Sequence, residues 1–302
     1  MTTTPARIAD RNQTATQGLS AARCPLCKTW GRMKIELEEA EKRLLRCPVC
    51  RVAFVDPLPS LDALTEDFVE RHITNEKRLE KFGSSRDPVL KAVSSTISRQ
   101  SPQGAKILDV GCAGGYFLDK FLSADRWEKY GAEASRFASE AAAKKGITMW
   151  QGMFASLDLP ASFFDVVTVL DAFYYFREPQ RDLGIIRKTL KPTGTLWIEV
   201  PLAETQIWRS SSAIARTLSR SARALFATNQ VFYYNLASLS YLLKETGFRM
   251  SGATPVPPVR HPSRNANLLY GSFYGASRVC WALSLRHLNF GPNILVKAVP
   301  AA

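Results

Sequence analysis

Between residues 106 and 200, short apolar segments alternate with helical patterns, and this alternation limits the folds open to the chain. The predicted strands cover 106–111, 129–134, 147–152, 164–170 and 194–200, and the predicted helices lie at about 116–124, 135–145 and 179–190. Short apolar strands separated by helices are typical of a parallel sheet with helices on both faces. The sequence therefore predicts an α/β, doubly wound fold.

The first predicted strand ends in Asp109 and continues into a loop that contains Gly111, Gly114 and Gly115. A buried carboxylate without a partner is costly, so either a protein donor or a ligand must satisfy Asp109. Ligands of parallel sheets bind at the carboxyl ends of the strands, where this loop stands. The loop is not the dinucleotide fingerprint G-x-G-x-x-G, because Ala113 and Tyr116 occupy the second and third glycine positions.

A second acid, Glu133, ends the next predicted strand. A carboxylate at that place can accept hydrogen bonds from ribose hydroxyls. Asp109 can face a ligand ammonium, directly or through water. Together the two acids favour a ligand with a ribose and an amino-acid end, and S-adenosylmethionine has both. The alternatives, a strand-end cap for Asp109 and a solvated strand end for Glu133, stay open.

Residues 106–200 resemble the class I S-adenosylmethionine-dependent methyltransferases, through ILDVGCAGG, GAEAS and the run FFDVVTVLDAFYYFREPQRDLGIIRKTLKPTGTLWIEVP. The resemblance implies a Rossmann-like, doubly wound, mostly parallel sheet of seven strands and S-adenosylmethionine as cofactor. Met153 and Phe154 are then expected to pack against adenine, or else to be core residues. The residues expected to bind the cofactor are Asp109, Gly111, Cys112, Ala113, Gly114, Glu133, Ala134, Met153, Phe154 and Leu170.

Four of the six cysteines form two C-x2-C pairs, Cys24/Cys27 and Cys47/Cys50. Their spacing is typical of a structural zinc site, in which four thiolates fill the tetrahedral shell. Glycine often follows the second cysteine of such a pair, but Lys28 and Arg51 stand there. This front end is similar to a methyltransferase subgroup that carries an N-terminal zinc-ribbon-like segment. That subgroup is frequent among enzymes that modify sugars, lipids and secondary metabolites.

The predicted organisation has four parts: a disordered tail (1–22), the zinc-ribbon-like segment (23–56), a helical linker or cap (57–104) and the methyltransferase domain (105–302). A lid helix is expected at about 205–226. The chain has no apolar run of about 18 residues, so no transmembrane span is predicted. The N-terminus lacks the apolar core of a secretory signal, and we therefore expect a cytoplasmic protein.

The net charge of +13 is concentrated in residues 202–302, which contain eleven basic and two acidic residues. Within the predicted lid helix, apolar and basic side chains fall on opposite lines, which indicates an amphipathic basic helix. Its arginines can be solvated, contact an anionic membrane or hold a phosphate-bearing substrate. The apolar line is Ile207, Ile214, Leu218 and Leu225, and the basic line is Arg209, Arg216, Arg220 and Arg223.

Methyl transfer from a sulfonium requires alignment of the reactants and exclusion of water, and an oxygen or nitrogen acceptor can require a base. Many relatives carry Glu-His after the fourth strand, whereas this chain has Asp171-Ala172, which excludes a histidine base there. The candidate catalytic residues are Asp171, Tyr174 and Tyr175. The alternatives are a helix N-cap for Asp171 and a pocket wall for the tyrosines.

The function favoured by the sequence is methyl transfer to a small molecule, a sugar or a lipid-linked intermediate, with no nucleic acid partner. An RNA methyltransferase would use the ribbon and the basic C-terminal third. However, the sequence shows no aromatic-rich basic strand face, and LDAFYY is not a base-gripping motif. A third hypothesis is a non-catalytic zinc-binding adaptor, and the presence of both Asp109 and Glu133 disfavours it. Whether oxygen, nitrogen or carbon accepts the methyl group stays open.

Overall fold

The computed structural model describes residues 18–39, 41–60, 75–211, 226, 230–261, 264–284 and 291–301. They form two sheets. The smaller, antiparallel sheet has the order β1-β2-β3-β4-β10. We call its N-terminal part, residues 18–58, the ribbon. The strands of the smaller sheet are β1 (Leu19–Arg23), β2 (Trp30–Glu39), β3 (Lys42–Arg46), β4 (Ala53–Asp56) and β10 (Phe232–Tyr233).

The larger sheet has seven strands in the order β11-β12-β9-β8-β5-β6-β7. Six of them run in the same direction, and β12 runs opposite to them, pairing antiparallel with both β9 and β11. This topology confirms the predicted fold class. The strands are β5 (Ala105–Val110), β6 (Trp127–Glu133), β7 (Thr148–Gln151), β8 (Phe164–Leu170), β9 (Leu190–Pro201), β11 (Phe248–Val256) and β12 (Asn293–Pro300).

Helices cover the larger sheet, and several begin at a side-chain cap. Ser135 accepts a hydrogen bond from the Ala138 backbone N–H, and Asn235 forms a capping box with Ser238. None of the described helices has the length and apolar character needed to cross a membrane. The helices are α1 (Glu76–Ser85), α2 (Asp87–Ser98), α3 (Tyr116–Lys120), α4 (Arg136–Ala143), α5 (Pro179–Thr189), α6 (Ala203–Ser211), α7 (Leu236–Glu245) and α8 (Arg264–Leu283).

Some element boundaries differ from the sequence prediction. The strand predicted at 194–200 already begins at Leu190, because that residue pairs with Phe164 directly after α5 ends. The helix predicted at 116–124 ends at Lys120. The first part of the predicted lid helix is α6, and residues 212–225, with Arg216, Arg220 and Arg223, lie outside the described residues.

The predicted disordered tail (1–22) was too long at its C-terminal end. Leu19–Arg23 forms the edge strand β1, which pairs with β2. Its alternating pattern buries Ser20 and Ala22 and exposes the other three residues, as expected for a strand with one solvated face. Residues 1–17 lie outside the described part of the chain.

The ribbon packs against the larger sheet through a shared buried core and is not attached to it through the chain alone. Leu26 and Phe54 belong to the same buried cluster as Phe173 and Tyr234. The backbone N–H of Val55 donates to the carbonyl of Val231 at 3.1 Å, next to the pairing of β4 with β10. The ribbon therefore stands as a wall beside the segment that follows β8.

The helical segment that precedes the larger sheet in the chain packs against strands β5 and β8. Four apolar side chains of α2 are buried in one cluster with Ile107 of β5 and Val166 of β8. Residues 61–74 of the predicted linker or cap (57–104) lie outside the described residues. The joint between α1 and α2 is Arg86, whose side chain points into the protein. The buried residues of α2 in this cluster are Val89, Leu90, Val93 and Ile97.

Candidate functional site

A cavity of about 660 Å³ lies at the carboxyl ends of β5, β6 and β8. This size is within the range of small-molecule sites, about 300–1,000 Å³. Most of the predicted site residues line it, whereas Asp109, Cys112, Gly114 and Tyr174 do not. The predicted residues at its wall are Gly111, Ala113, Glu133, Ala134, Met153, Phe154, Leu170, Asp171 and Tyr175.

The loop after β5 requires glycine where it approaches its neighbours. Gly111 has a φ of +74°, and a Cβ atom there would lie 2.8 Å from the Cβ of Ala172. Gly115 has a φ of +69°, and its Cβ would lie 2.4 Å from the Cδ1 of Ile147. Side chains at these positions would be strained and crowded. Glycine is therefore required at both positions by the backbone conformation and by neighbouring atoms of the protein.

Glu133 is held at the end of β6 by two backbone groups. Its Oε2 accepts a hydrogen bond from the N–H of Ala113, and its Oε1 accepts one from the N–H of Ser135, both at 2.9 Å. Burial raises the pKa of Glu133, while these two donors act to lower it. A carboxylate has about four acceptor positions, so Glu133 can still accept hydrogen bonds from ribose hydroxyls.

Asp109 is satisfied by a protein donor. The hydroxyl of Thr168, on the neighbouring strand β8, donates to its Oδ1 at 2.7 Å. Burial raises the pKa of Asp109 to about 7, although the Thr168 hydrogen bond and the charge of Arg86 act to lower it. Because Asp109 lies behind the cavity wall, its contact with a ligand ammonium stays a prediction.

Asp171 and Tyr174 are bound to each other. The Tyr174 hydroxyl donates to Asp171 Oδ1 at 2.7 Å, and Arg86 Nε lies 3.3 Å from Asp171 Oδ2. Burial and the charge of Asp171 raise the pKa of Tyr174 well above its usual value. Tyr174 therefore keeps its proton, and both carboxylate oxygens of Asp171 have partners. Of the three predicted catalytic residues, Asp171 and Tyr175 line the cavity and Tyr174 does not.

Sequence reasoning missed the buried network around Arg86, which is 5% exposed. Its guanidinium donates to Glu199, which is fully buried in β9 and also accepts a hydrogen bond from Asn293. Burial lowers the pKa of Arg86, but the charges of Asp171 and Glu199 raise it by more. The net pKa is above the usual value, so the guanidinium stays charged. The one signal in the sequence was an acid inside the apolar strand TLWIEV, which requires a partner.

The second half of the cavity was also missed. It is lined by residues of the ribbon and of the start of α5. Its wall includes two residues of the first cysteine pair's turn, Pro25 and Lys28, and the buried acid Asp182 of α5. The cavity thus has one side made by the larger sheet and another made with the ribbon. The remaining charged residues of this half are Arg177, Glu178 and Arg181.

The four ribbon cysteines converge, as predicted. The sulfurs of Cys24 and Cys50 are 3.6 Å apart, as are those of Cys27 and Cys47, and all four lie within 4.8 Å of one another. Tetrahedral zinc with Zn–S bonds of about 2.3 Å requires sulfur separations of about 3.8 Å, so the group fits zinc.

The turns of both cysteine pairs adopt the conformation for which such sites often use glycine. Lys28 has a φ of 61° and Arg51 has a φ of 65°. In each turn the N–H of this residue donates to the carbonyl of the first cysteine of the pair. Two non-glycine residues are therefore held in the left-handed region, which is uncommon.

The outer face of the ribbon is more basic and aromatic than the sequence analysis recognised. The register of β1, β2 and β3 aligns Arg23 with Trp30, and Lys34 with Arg46, on one face. Trp30 is 70% exposed. The sequence analysis did not foresee this basic face with its one exposed tryptophan, because the pairing that creates the face joins separate segments. A groove of about 620 Å³ lies between this face and Trp208 of α6.

Comparison with known proteins agrees with this architecture. The tRNA U34 carboxymethyltransferase of Pseudomonas fluorescens (strain SBW25) is 31% identical over 115 residues, which are 34% of each chain. The chain thus spans about a third of the length of that curated relative. Phosphoethanolamine N-methyltransferase 2 of Haemonchus contortus, solved with S-adenosyl-L-methionine, has a TM-score of 0.53 at 16% identity. That comparison covers 83% of this chain and 62% of the other.

A second solved structure has the same fold. It is a complex between the Haloferax volcanii Trm112 methyltransferase activator and a methyltransferase, with a TM-score of 0.52 at 16% identity, covering 72% of this chain and 93% of the other. A family model described as a methyltransferase domain matches residues 82–251, more than half of the 302-residue chain. The protein therefore belongs to the methyltransferase-domain family and has the fold of the S-adenosylmethionine-dependent methyltransferases.

Proposed function

We propose that the protein transfers a methyl group from S-adenosylmethionine to a small molecule that enters the cavity from the ribbon side. The observation that carries this proposal is the two-sided cavity. One side has the glycine loop and Glu133, and the other has Pro25 and Lys28 of the ribbon. A wall of this kind restricts the space beside the cofactor, which favours a compact acceptor.

The proposed reaction is a displacement at the methyl carbon. The acceptor atom forms a bond to carbon while the carbon–sulfur bond breaks, and its electron pair remains on sulfur. The protein aligns the two reactants and excludes water. The proposed cofactor residues are those predicted from the sequence, with Glu133 on the ribose and the loop from Gly111 beside the amino-acid end. Met153 and Phe154 are proposed to pack against adenine.

Replacing Glu133 by alanine is expected to weaken S-adenosylmethionine binding by about 1–3 kcal/mol, because hydrogen bonds to a charged group are lost. Titration calorimetry measures this change. The matched control is Glu128→Ala, which removes an exposed acid from the same strand and should leave the affinity unchanged. Equal binding by wild type and the Glu133 variant would remove Glu133 from the site. If the wild-type protein bound neither the cofactor nor its demethylated product, the hypothesis of a non-catalytic zinc-binding adaptor would be favoured.

The second candidate is an RNA methyltransferase. Two observations favour it: the basic outer face of the ribbon, with its exposed tryptophan, and the partial likeness to a protein named for tRNA modification. Basic faces with stacking aromatics are common in proteins that bind single strands. The groove at this face also contains two acids, Glu36 and Glu204, which pair with Arg46 and reduce its positive charge. We therefore keep the small molecule as the first proposal.

Binding to bulk RNA at two salt concentrations separates the candidates. Under our first proposal, binding is weak, and Arg32→Glu/Lys34→Glu reduces it no more than the control pair Lys91→Glu/Arg99→Glu. All four side chains are exposed, and the two pairs make the same change in charge. Tight binding with a steep salt dependence, lost only in the ribbon variant, would establish the RNA candidate because phosphate contacts release counterions.

A further inference from the structure

Asp182 is a buried carboxylate that does not belong to the proposed cofactor residues. It lies in the first turn of α5, is 6% exposed and lines the cavity. Among the described residues, its side chain accepts no hydrogen bond and forms no ion pair. A carboxylate buried without partners is costly, and buried polar groups without partners are uncommon in native proteins. A ligand group in the cavity is the partner that would compensate for this cost.

The groups around Asp182 leave it available. Glu178 and Arg181, on its own segment, form an ion pair with each other at 3.3 Å. Burial raises the pKa of Tyr234 well above its usual value, and the nearby charge of Asp182 raises it too. The Tyr234 hydroxyl is also buried and has no hydrogen-bond partner among the described residues. From the ribbon, Lys28 lines the same cavity. Two unsatisfied polar groups thus lie near the half of the cavity proposed for the acceptor.

The other acids near the cavity are already engaged. Asp171 holds Arg86 and Tyr174, Asp109 accepts from Thr168, and Glu133 accepts from two backbone groups. Burial and the neighbouring charge of Glu178 raise the pKa of Asp182 to about 7, while Arg181 acts to lower it. A general base is most effective when its pKa lies near the working pH.

We propose that Asp182 is the catalytic base and that the acceptor is a small molecule with a hydroxyl or amine group at the cavity's ribbon side. This inference rests on the proposed methyl transfer. The acceptor oxygen or nitrogen bonds to the methyl carbon, the carbon–sulfur electron pair stays on sulfur, and the acceptor proton passes to the Asp182 carboxylate. Water then takes this proton, and S-adenosylhomocysteine and the methylated product leave.

The test uses the full-length protein, S-adenosylmethionine with a labelled methyl group, and two fractions of a cell extract as acceptor probes. One fraction is an ultrafiltrate of small molecules, and the other contains the macromolecules, including RNA. Wild type is compared with Asp182→Asn, Asp182→Glu and the control Asp158→Asn, which changes an exposed acid outside the cavity. Saturating cofactor separates transfer from cofactor binding, which calorimetry measures for each protein.

We expect wild type to label the ultrafiltrate, with a rate that rises as the pH passes about 7 and Asp182 loses its proton. Asp182→Asn should lower this rate about 10²–10⁴-fold, the usual contribution of a base, and abolish its rise with pH. Its cofactor affinity and melting temperature should not fall. Asp182→Glu should recover part of the rate, and Asp158→Asn should match wild type.

The opposite results are equally clear. An Asp182→Asn variant with the wild-type rate and pH profile overturns the assignment. So does a variant that loses cofactor binding and thermal stability together with the rate, because Asp182 would then be structural. Labelling of the macromolecular fraction alone contradicts the small-molecule acceptor. Cofactor binding without transfer to either fraction contradicts the proposed function itself, and the role of Asp182 with it.

Discussion

Replacing Arg86 by methionine is expected to lower the free energy of unfolding by about 3–5 kcal/mol, the usual effect of breaking a buried ion pair. Methionine keeps much of the volume but removes the charge. Glu199 would then remain fully buried with Asn293 as its one described partner, and Asp171 would lose its counter-ion. Urea denaturation of wild type and variant measures the change.

The stability loss caused by Arg86→Met is also expected to depend on pH, in a direction that follows from the pKa of Glu199. Burial already raises the pKa of Glu199 in the presence of Arg86, whose charge lowers it. Removing that charge raises the pKa further. A carboxyl group whose pKa is higher in the folded state is more favourable to folding when protonated. The destabilisation caused by Arg86→Met should therefore be smallest at acidic pH, and it should increase as the pH rises through the folded-state pKa of Glu199.

Two further variants test the cause. Arg86→Met/Glu199→Gln should recover part of the lost stability, because glutamine removes the uncompensated charge and keeps a hydrogen-bonding group. Arg99→Met, at an exposed arginine beyond α2, should change stability by no more than about 0.5 kcal/mol. If Arg86→Met has the stability of Arg99→Met, the buried ion pair does not hold α1, α2 and β9 together as we infer.

Loss of the ribbon metal is expected to have the largest effect on the whole protein. We expect one zinc per chain on Cys24, Cys27, Cys47 and Cys50, and Cys47→Ser should lose it. Structural zinc contributes about 10–16 kcal/mol of apparent binding free energy in zinc-finger peptides, so the ribbon should not stay folded without it. Because the ribbon shares a core with the larger sheet and lines the cavity, methyl transfer should also be lost.

Elemental analysis, near-ultraviolet circular dichroism and cofactor calorimetry measure these effects, with a chelator as an independent route to metal removal. Cys280→Ser is the control, because Cys280 is an exposed cysteine far along the chain from the ribbon. Purified protein without zinc, in which the four ribbon thiols react readily, would contradict the metal site. A metal-free protein with wild-type cofactor binding would show that the larger sheet keeps its site without the ribbon.

Features that depend on short stretches of chain were predictable. The alternation of apolar strands and helices predicts the parallel sheet because each element needs only its own periodicity. The cysteine spacing likewise predicts that four sulfurs meet. The glycine loop is also visible in one short stretch of chain, and Gly111 and Gly115 have the positive φ values that glycine tolerates. Glu133 lies at the cavity because β5 and β6 are parallel neighbours whose carboxyl ends meet.

The tertiary structure alone decided which side chains face one another across long separations. Arg86 and Glu199 are 113 residues apart in the chain, and no local pattern relates them. The basic face of the ribbon arises from strand register, which determines which side of the sheet each residue occupies. The ribbon's place at the cavity follows from the pairing of β4 with β10. The last residue of β4, Asp56, and the first residue of β10, Phe232, are 176 residues apart in the chain.

The same distinction explains the candidate base. The sequence offers Asp171, Tyr174 and Tyr175 as candidates, Asp171 because it follows the fourth strand, where relatives carry an acid. The fold brings Arg86 and Tyr174 to the two carboxylate oxygens of Asp171, and it leaves Asp182 buried with no hydrogen-bond or ion-pair partner among the described residues. The sequence by itself determined which groups the chain carries and the elements that hold them. The packing of distant elements decided which of those groups are neutralised and which face the cavity, because burial and charge pairing depend on all neighbours in space.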